Sequence, residues 1–537
     1  SGIVMIEGNP HRDLWKAACW AMSKDETYNP HERALYGALC GNLSAMLEVS
    51  SSWEDHLWSH YKTMVDMATE RHVQQTVNIW SPWQRVTQDT IPLPDGYWRQ
   101  SVDLGRCSDI FDKIESSYDQ IVREEALNPF HFVQRCIILN DITTLMERCA
   151  SWVDDASVHL LRFLVHVILF LRTLGVQLEV GVGVWTIEAY VRKLIADERT
   201  NHLVATYTAA LPSEMQIANY STFLETITNP ELQKEYLDHA VEAGLDIPSI
   251  TKRVVESIRS IGNADEIVDS DWSIEPPVTT DDRQKIEAIE WLVYDPSQRC
   301  EAVKQSNAIM RGFLASRKHT AAHDVFMKIP VDSIEVLYKE WYAQADKDVP
   351  LPPDADNAIH EHLCMKAYLS AHTSFKEWFK HYHTSKPEGP EEPTIQKPSA
   401  FGSVSISDLV AQEHRQKEYL GKMSSWEDKL QSLCDLARDR IYNVLLFPTG
   451  WLVDAREDVS SEGEWRNHQM AQLRRICVPY LCNLLLTVLV DTRGRYGECG
   501  KLAHVLADED YKLYELFTNQ EGKDIMRRIQ EALIQTL

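Results

Sequence analysis

The chain has 537 residues, 44% of them apolar and 25% charged, enough to bury a large core without disulfide or metal staples. Its 21 glycines are about 4% of the chain against a typical 7% or so, which counts against turn-dense β-sandwiches, propellers and glycine-rich nucleotide-binding sheets and favours helices. A formal charge of −26 disfavours direct binding to nucleic-acid phosphates or to an anionic membrane surface.

The stretch Ser1 to Glu7 has no basic region followed by a long apolar run, so no signal peptide is expected. Residue 1 is not Met, and the chain reads as a fragment of something longer. Asn29-Pro30 predicts a helix start, and the spacing predicts a helix over 30–48 with Ala34, Leu35, Leu39 and Leu43 on one face. Pro82, Pro92, Pro94 and Gly96 mark 81–96 as a loop. Over 156–174 almost every position is apolar, with Asp155 as the expected N-cap and Gly175 as the stop. Its polar exceptions, His159, Arg162 and His166, form one thin stripe, so this helix is expected between neighbours in a stacked array. The β-like run 176–184 is short and is expected to be a connection.

The acidic stretch 262–282, with Pro276-Pro277, is expected to be a linker between helical modules 1–261 and 283–537. Four prolines between 386 and 399 predict a mobile loop at 384–400. The longest predicted helix, 405–445, keeps helical spacing from Ile406 through Trp426 to Val444, and its polar gap from Gln412 to Glu418 is expected in solvent. The apolar run from Ile476 to Val490 contains Pro479 and Asn483, is short of the ~18–20 residues that span a bilayer, and is read as a core helix with no membrane insertion. A last helix over 523–537 is expected to bury Ile525, Ile529, Leu533 and Leu537. No exact-period repeat is visible, which leaves an irregular α-solenoid of stacked antiparallel helices.

The 11 cysteines run from Cys19 to Cys499 without a Cys-x-x-Cys pair, and Cys136, Cys477 and Cys482 sit on apolar stretches. They are expected to be reduced and buried, as in a cytosolic or nuclear protein. Motifs for catalysis fail on inspection. His11-Arg12-Asp13-Leu14 resembles a kinase catalytic loop, but Ala18 stands where that loop needs Asn. Gly181-Val-Gly183 lacks the third glycine of a dinucleotide fingerprint. His360, His362 and Cys364 supply metal-ligand types without a second Cys/His pair at proper spacing, so no metal or cofactor is expected. The pairs Arg474-Arg475 and Arg527-Arg528 are too short to make a nucleic-acid patch. Most of the 16 tryptophans, such as Trp15 with Trp20 and Trp53 with Trp58, fall at helical spacing as packing anchors. Trp451 differs, because it lies in an interhelical loop with Asp454. There it reads equally as an exposed interface anchor and as a residue folded back on its own helices.

Blocks in order along nearly the whole chain resemble the nucleoporin 107 family. They include Glu7 to His11, Glu32 to Tyr36, Ser52 to Asp55, His159 to Leu164, Phe170 to Gly175, Asn307 to Arg311, Glu361 to Cys364, Tyr442 to Phe447 and His468 to Met470. The likeness is to the C-terminal part of the family's proteins and weakens over 76–106, 262–280 and 384–400. It implies an elongated all-α scaffold related to vesicle-coat proteins, part of the Y-shaped complex of the nuclear pore, without enzymatic activity. On that resemblance residues 1–261 match the trunk and crown modules and 283–537 the tail. The tail is expected to bind the C-terminal domain of nucleoporin 133. Nucleoporin 96 is expected to bind an N-terminal part largely outside this chain. Trp451 and Asp454 fall on the loop implied as the first contact, and the helices carrying Leu502, Val505 and Tyr511 are the second. Reversal of Asp454 is expected to break binding and leave folding intact. Two other readings remain, a scaffold of a different coat or tethering complex and an α-helical enzyme with a deep, titratable pocket.

Overall fold

The computed structural model describes residues 12–80, 92–100, 106–178, 180–261, 275–344, 349–389, 406–457 and 460–535. Most of the expected loop at 81–96, the larger part of 262–282, and 390–400 lie outside these residues, as do His11 and Leu537. Every regular element among the described residues is a helix, so the fold is all-α. The chain divides into two compact units, Ser1–Pro212 and Ser213–Leu537.

In the first unit α1 (Arg12–Lys24) and α2 (Pro30–Cys40) lie against each other, followed by α3 (Leu43–Leu47) and the long α4 (Trp53–Trp80). The expected single helix over 30–48 is broken. Asn29 caps α2 with a capping box, as its position before Pro30 predicts. The chain then turns at Gly41, whose φ of +79° places it in the left-handed region. A Cβ there would also lie 2.7 Å from the Asp66 carboxylate. The break rotates the buried face to Ala34, Gly37 and Cys40, and leaves Leu35 and Leu39 exposed. Asp66 is held in place by charge. Lys16, only 2% exposed, pairs with Asp66 at 2.5 Å and Glu70 at 2.8 Å, and Tyr97 donates its hydroxyl to Asp66 at 2.8 Å. Removing one partner of such a buried cluster leaves a charge uncompensated, at a cost of roughly 3–5 kcal/mol.

The unit continues with α5 (Cys107–Glu115), α6 (Gln120–Ala126), α7 (Pro129–Leu139), α8 (Ile142–Trp152), α9 (Val158–Thr173), α10 (Val180–Ile195) and the short α11 (Val204–Thr208). Helix α9 begins two residues later than expected, because Ser157 rather than Asp155 accepts the capping bond from the Leu160 amide. Gly175 ends it with φ +74°. Leu160, Leu161, Leu164, Val165, Ile168 and Leu171 are buried, and the stripe of His159, Arg162 and His166 is exposed. The run 176–184 is a connection only at its start. From Val180 it is the first turn of α10, and a Cβ on Gly183 would come within 3.2 Å of the Arg172 guanidinium.

The second unit opens with α12 (Ser213–Glu225), α13 (Pro230–Glu242) and α14 (Ile247–Ser260), then α15 (Thr280–Ala288), α16 (Glu290–Val293) and α17 (Arg299–Ala315). The units divide at Pro212, and the stretch expected as a linker, 262–282, lies within the second of them. Side chains of α14 bond to the other side of it, Thr251 to Gln298 at 2.7 Å and Arg259 to Gln305 at 2.7 Å. Helix α17 is buried on nearly every side. After α18 (His319–Lys328) and α19 (Ser333–Gln344) come three long helices, α20 (Pro353–Thr384), α21 (Ile406–Leu445) and α22 (Ser461–Asp491). The first half of α21 is in solvent from Val410 to Gly421 apart from Tyr419, as the polar gap predicts, and from Trp426 its apolar face packs through Leu430, Ala437, Ile441 and Val444. Val410 and Leu420, expected on that face, are exposed because the helix has outrun its neighbours there.

By length and composition the stretch Gly463–Asp491 of α22 is apolar enough to cross a membrane. Within this fold more than half of its apolar window is buried, with Leu481, Cys482, Leu485, Leu486 and Leu489 fully or almost fully covered, so it packs as a core helix. The chain ends in α23 (Cys499–Leu506), a turn over 507–516, and α24 (Asn519–Ile534). Thr518 and Glu521 form a capping box that starts α24 four residues earlier than expected. Ile525 and Ile529 are buried as expected.

Candidate partner interface

The loop between α21 and α22 is shaped by backbone that few residues adopt. Thr449, Gly450 and Leu452 have φ of 66°, 95° and 52°. A Cβ on Gly450 would meet the Val453 side chain at 2.9 Å. The resulting path carries Trp451 inward. Its ring is 4% exposed, its Nε1 donates to the Cys364 carbonyl at 2.9 Å, and it stacks on Tyr368 with centroids 5.4 Å apart. Trp451 is therefore not an exposed anchor in this fold, and of its two readings the one that folds it onto its own helices holds. The sequence reading had no view of Cys364 and Tyr368, almost ninety residues earlier, which make the slot.

Asp454 is also used internally. Arg466 donates to it at 2.5 Å, Arg466 lies 3.8 Å from Glu361, and Glu361 pairs with Arg311, only 6% exposed. Asn357, fully buried, clamps the rest of the loop by accepting from the Ala455 and Arg456 amides at 3.1 and 3.2 Å and donating to the Arg456 carbonyl at 2.8 Å. Reversal of Asp454 would put a second positive charge beside Arg466 and leave Glu361 as its remaining acid. The pair with Arg466 gives reason to predict a loss of stability on reversal of Asp454, where the sequence alone led to the expectation of unaffected folding.

The second expected region divides by face. Leu502 is fully buried on the inner side of α23, Val505 is half-buried, and Tyr511 is 38% exposed on the following turn. Leu502 is thus a packing residue in this chain, and Tyr511 is the one that reaches solvent. The structure brings Tyr511 to Trp451. Both line a cavity of about 440 Å³ walled by Val444 and Leu445 of α21, by Val453, by Val478 of α22, and by Leu513 and Leu516. Its polar groups are Arg474, Asp510 and Thr449. Asp454 lines no part of it.

The ligand-type residues on α20 each have other work. His360 bonds Thr449 at 3.0 Å, and His362 stacks on Phe326 with centroids 4.9 Å apart. The Cys364 sulfur accepts from the Leu452 amide at 3.4 Å, and burial pushes its thiol up to about 12. Among the described residues no three His, Cys, Asp or Glu side chains are grouped to hold a metal ion. A buried imidazole pair lies close by. His319 and His372 stack at 4.2 Å, bonded to Tyr368 at 2.9 Å and Tyr480 at 3.4 Å, and burial lowers their pKa values to about 4 and about 2. All described cysteines are free thiols, and only Cys107 is exposed and Cys300 half-buried.

Arg474 was overlooked in the sequence because it stood in a pair too short to count as a basic patch. A signal was available, since it sits three and four residues before the buried Cys477 and Val478, at the margin of an apolar face.

Comparison with known proteins adds what geometry cannot. The family model for nuclear pore protein 84 / 107 matches residues 3–533. The chain is 41% identical over 99% of its length to the nuclear pore complex protein Nup107 of both Mus musculus and Homo sapiens. It is 30% identical, again over 99% of its length, to Nup107 of Drosophila melanogaster. It spans 56% of the mammalian proteins and 61% of the fly protein, little more than half of each. With a match that runs in order through both units, the chain belongs to the nuclear pore protein 84 / 107 family.

Proposed function

We propose that the chain is a non-enzymatic scaffold segment at the nuclear pore in the nuclear envelope, and that its second unit binds the C-terminal domain of nucleoporin 133 within the Y-shaped complex. It would in that way contribute to pore assembly, mRNA export and nucleocytoplasmic transport, with nucleoporin 96 held by a more N-terminal part of the full protein. Family membership supports the scaffold role. The observation that carries the partner site is the meeting of two regions sixty residues apart, the Trp451 loop and the Tyr511 turn, on one cavity of mixed polar and apolar lining that opens to solvent. A recess that combines apolar walls, charged groups and a partly exposed aromatic suits a partner that inserts a side chain.

The test is size-exclusion chromatography with light scattering, mixing the chain with the C-terminal domain of nucleoporin 133. A one-to-one complex is expected, and Tyr511→Ala should weaken it. Two folded proteins that elute separately would overturn the proposal.

A further inference from the structure

Arg474 sets the chemistry of the cavity. Its side chain is half-buried, it lines the cavity, and it has no hydrogen-bond or ion-pair partner among the described residues. Burial pulls its pKa below the usual guanidinium value, with no opposing charge to restore it. Several other covered arginines of the unit are paired, whereas Arg299 is likewise half-buried with no partner for its Nε and Nη1 among the described residues but lines no part of this cavity. Arg311 pairs with Glu361, Arg466 with Asp454, and Arg438 and Arg495 share Glu498 at 3.0 and 2.7 Å. Asp510 also lines the cavity, but it stands exposed at the rim and lies beyond ion-pair distance of Arg474.

A half-buried guanidinium without an acid is partly desolvated and uncompensated, and its five donors match a carboxylate in a forked geometry. Resting on the partner reading above, we infer that the cavity is a socket for a partner segment carrying an acidic side chain beside an apolar one. The carboxylate pairs with Arg474. The apolar neighbour fills the space against Trp451, Val478 and Leu513. Asp510 at the mouth favours a basic residue further along the same segment, which gives the partner a direction. Two charges of opposite sign on one small opening fix orientation better than apolar contact alone.

The experiment is titration calorimetry of the chain against the C-terminal domain of nucleoporin 133, with melting curves of each free variant. Arg474→Met keeps the aliphatic bulk and removes the charge. It should weaken binding about 30-fold or more, the loss expected when one partner of a buried charged pair is truncated. Arg474→Glu should abolish detectable binding. Arg475→Met, altering the exposed neighbour, should bind like the wild type. The free Arg474→Met chain should melt no lower than the wild type. Wild-type binding that Arg474→Met leaves intact would overturn this inference and leave the partner reading standing. A clear fall in the melting temperature of free Arg474→Met would also overturn it, since the residue would then serve its own fold. No binding by the wild type would overturn both.

Discussion

The loop of residues 447–457 and the turn of residues 507–516 border the same cavity, yet the two are built differently. The loop is fastened from within. Trp451 bonds to Cys364, Asp454 to Arg466, and Asn357 holds the amides of Ala455 and Arg456. The turn leaves Tyr511 and Tyr514 partly exposed, and its Lys512 sits at φ 48°. Two arginines on α22 repeat the contrast. Arg466 is paired, and Arg474, eight residues on, is not. An aromatic and a carboxylate in a loop look like partner contacts in sequence. What separates the cases is whether the rest of the chain has already satisfied them.

Trp451→Ala breaks the contrast most severely. It removes a buried indole and its hydrogen bond, and should destabilise the free chain by about 3–5 kcal/mol, read by urea denaturation. A change below 1 kcal/mol or so would mean the ring is not part of the core. Asp454→Lys should come next, at roughly 3 kcal/mol, because it removes the nearer acid of Arg466 and sets a new positive charge beside it, with only Glu361 at 3.8 Å remaining. If its melting curve matches the wild type while binding is lost, Asp454 belongs with the turn and not with the loop.

Acid should act on the same region. His319, His362 and His372 are held neutral by burial, with pKa values lowered to about 4, about 4 and about 2. Unfolding returns each to an ordinary value near 6.5, so below that pH the unfolded chain binds the extra protons. Stability contributed by these imidazoles is full above about pH 6.5 and declines toward pH 4, by up to about 1.4 kcal/mol per pH unit for each group. Melting temperatures at pH 7.5 and 5.0 test the sign. An equal or higher value at pH 5.0 would contradict it. The smallest effect on folding is expected from Tyr511→Ala, within about 0.5 kcal/mol for the free chain, although it should weaken the complex.

Much of the helical architecture was legible because burial repeats at helical spacing. The second half of α21 is the clearest instance, with Trp426, Leu430, Ala437, Ile441 and Val444 all buried. Boundaries were less legible where one residue decides them. Gly41 splits an otherwise continuous pattern because the Asp66 carboxylate leaves no room for a side chain there, and Ser157 outcompetes Asp155 as a cap. Composition marks the 262–282 stretch as acidic and proline-bearing but is blind to the bonds from Thr251 and Arg259 across it. For the candidate site, the sequence pointed to a loop and a turn that border one cavity. It could not see that Trp451 and Leu502 face inward, because their slots are made by residues distant in the chain. Arg474 had no motif at all. Its lack of a partner together with its place in the cavity wall distinguishes it.

The most direct measurement is hydrogen–deuterium exchange of the chain alone and with the C-terminal domain of nucleoporin 133. The account predicts added protection over 508–516 and at the Arg474–Val478 edge of α22, with little change at Asp454 to Arg466. Protection confined to Asp454–Arg466, with the 508–516 turn unchanged, would contradict it.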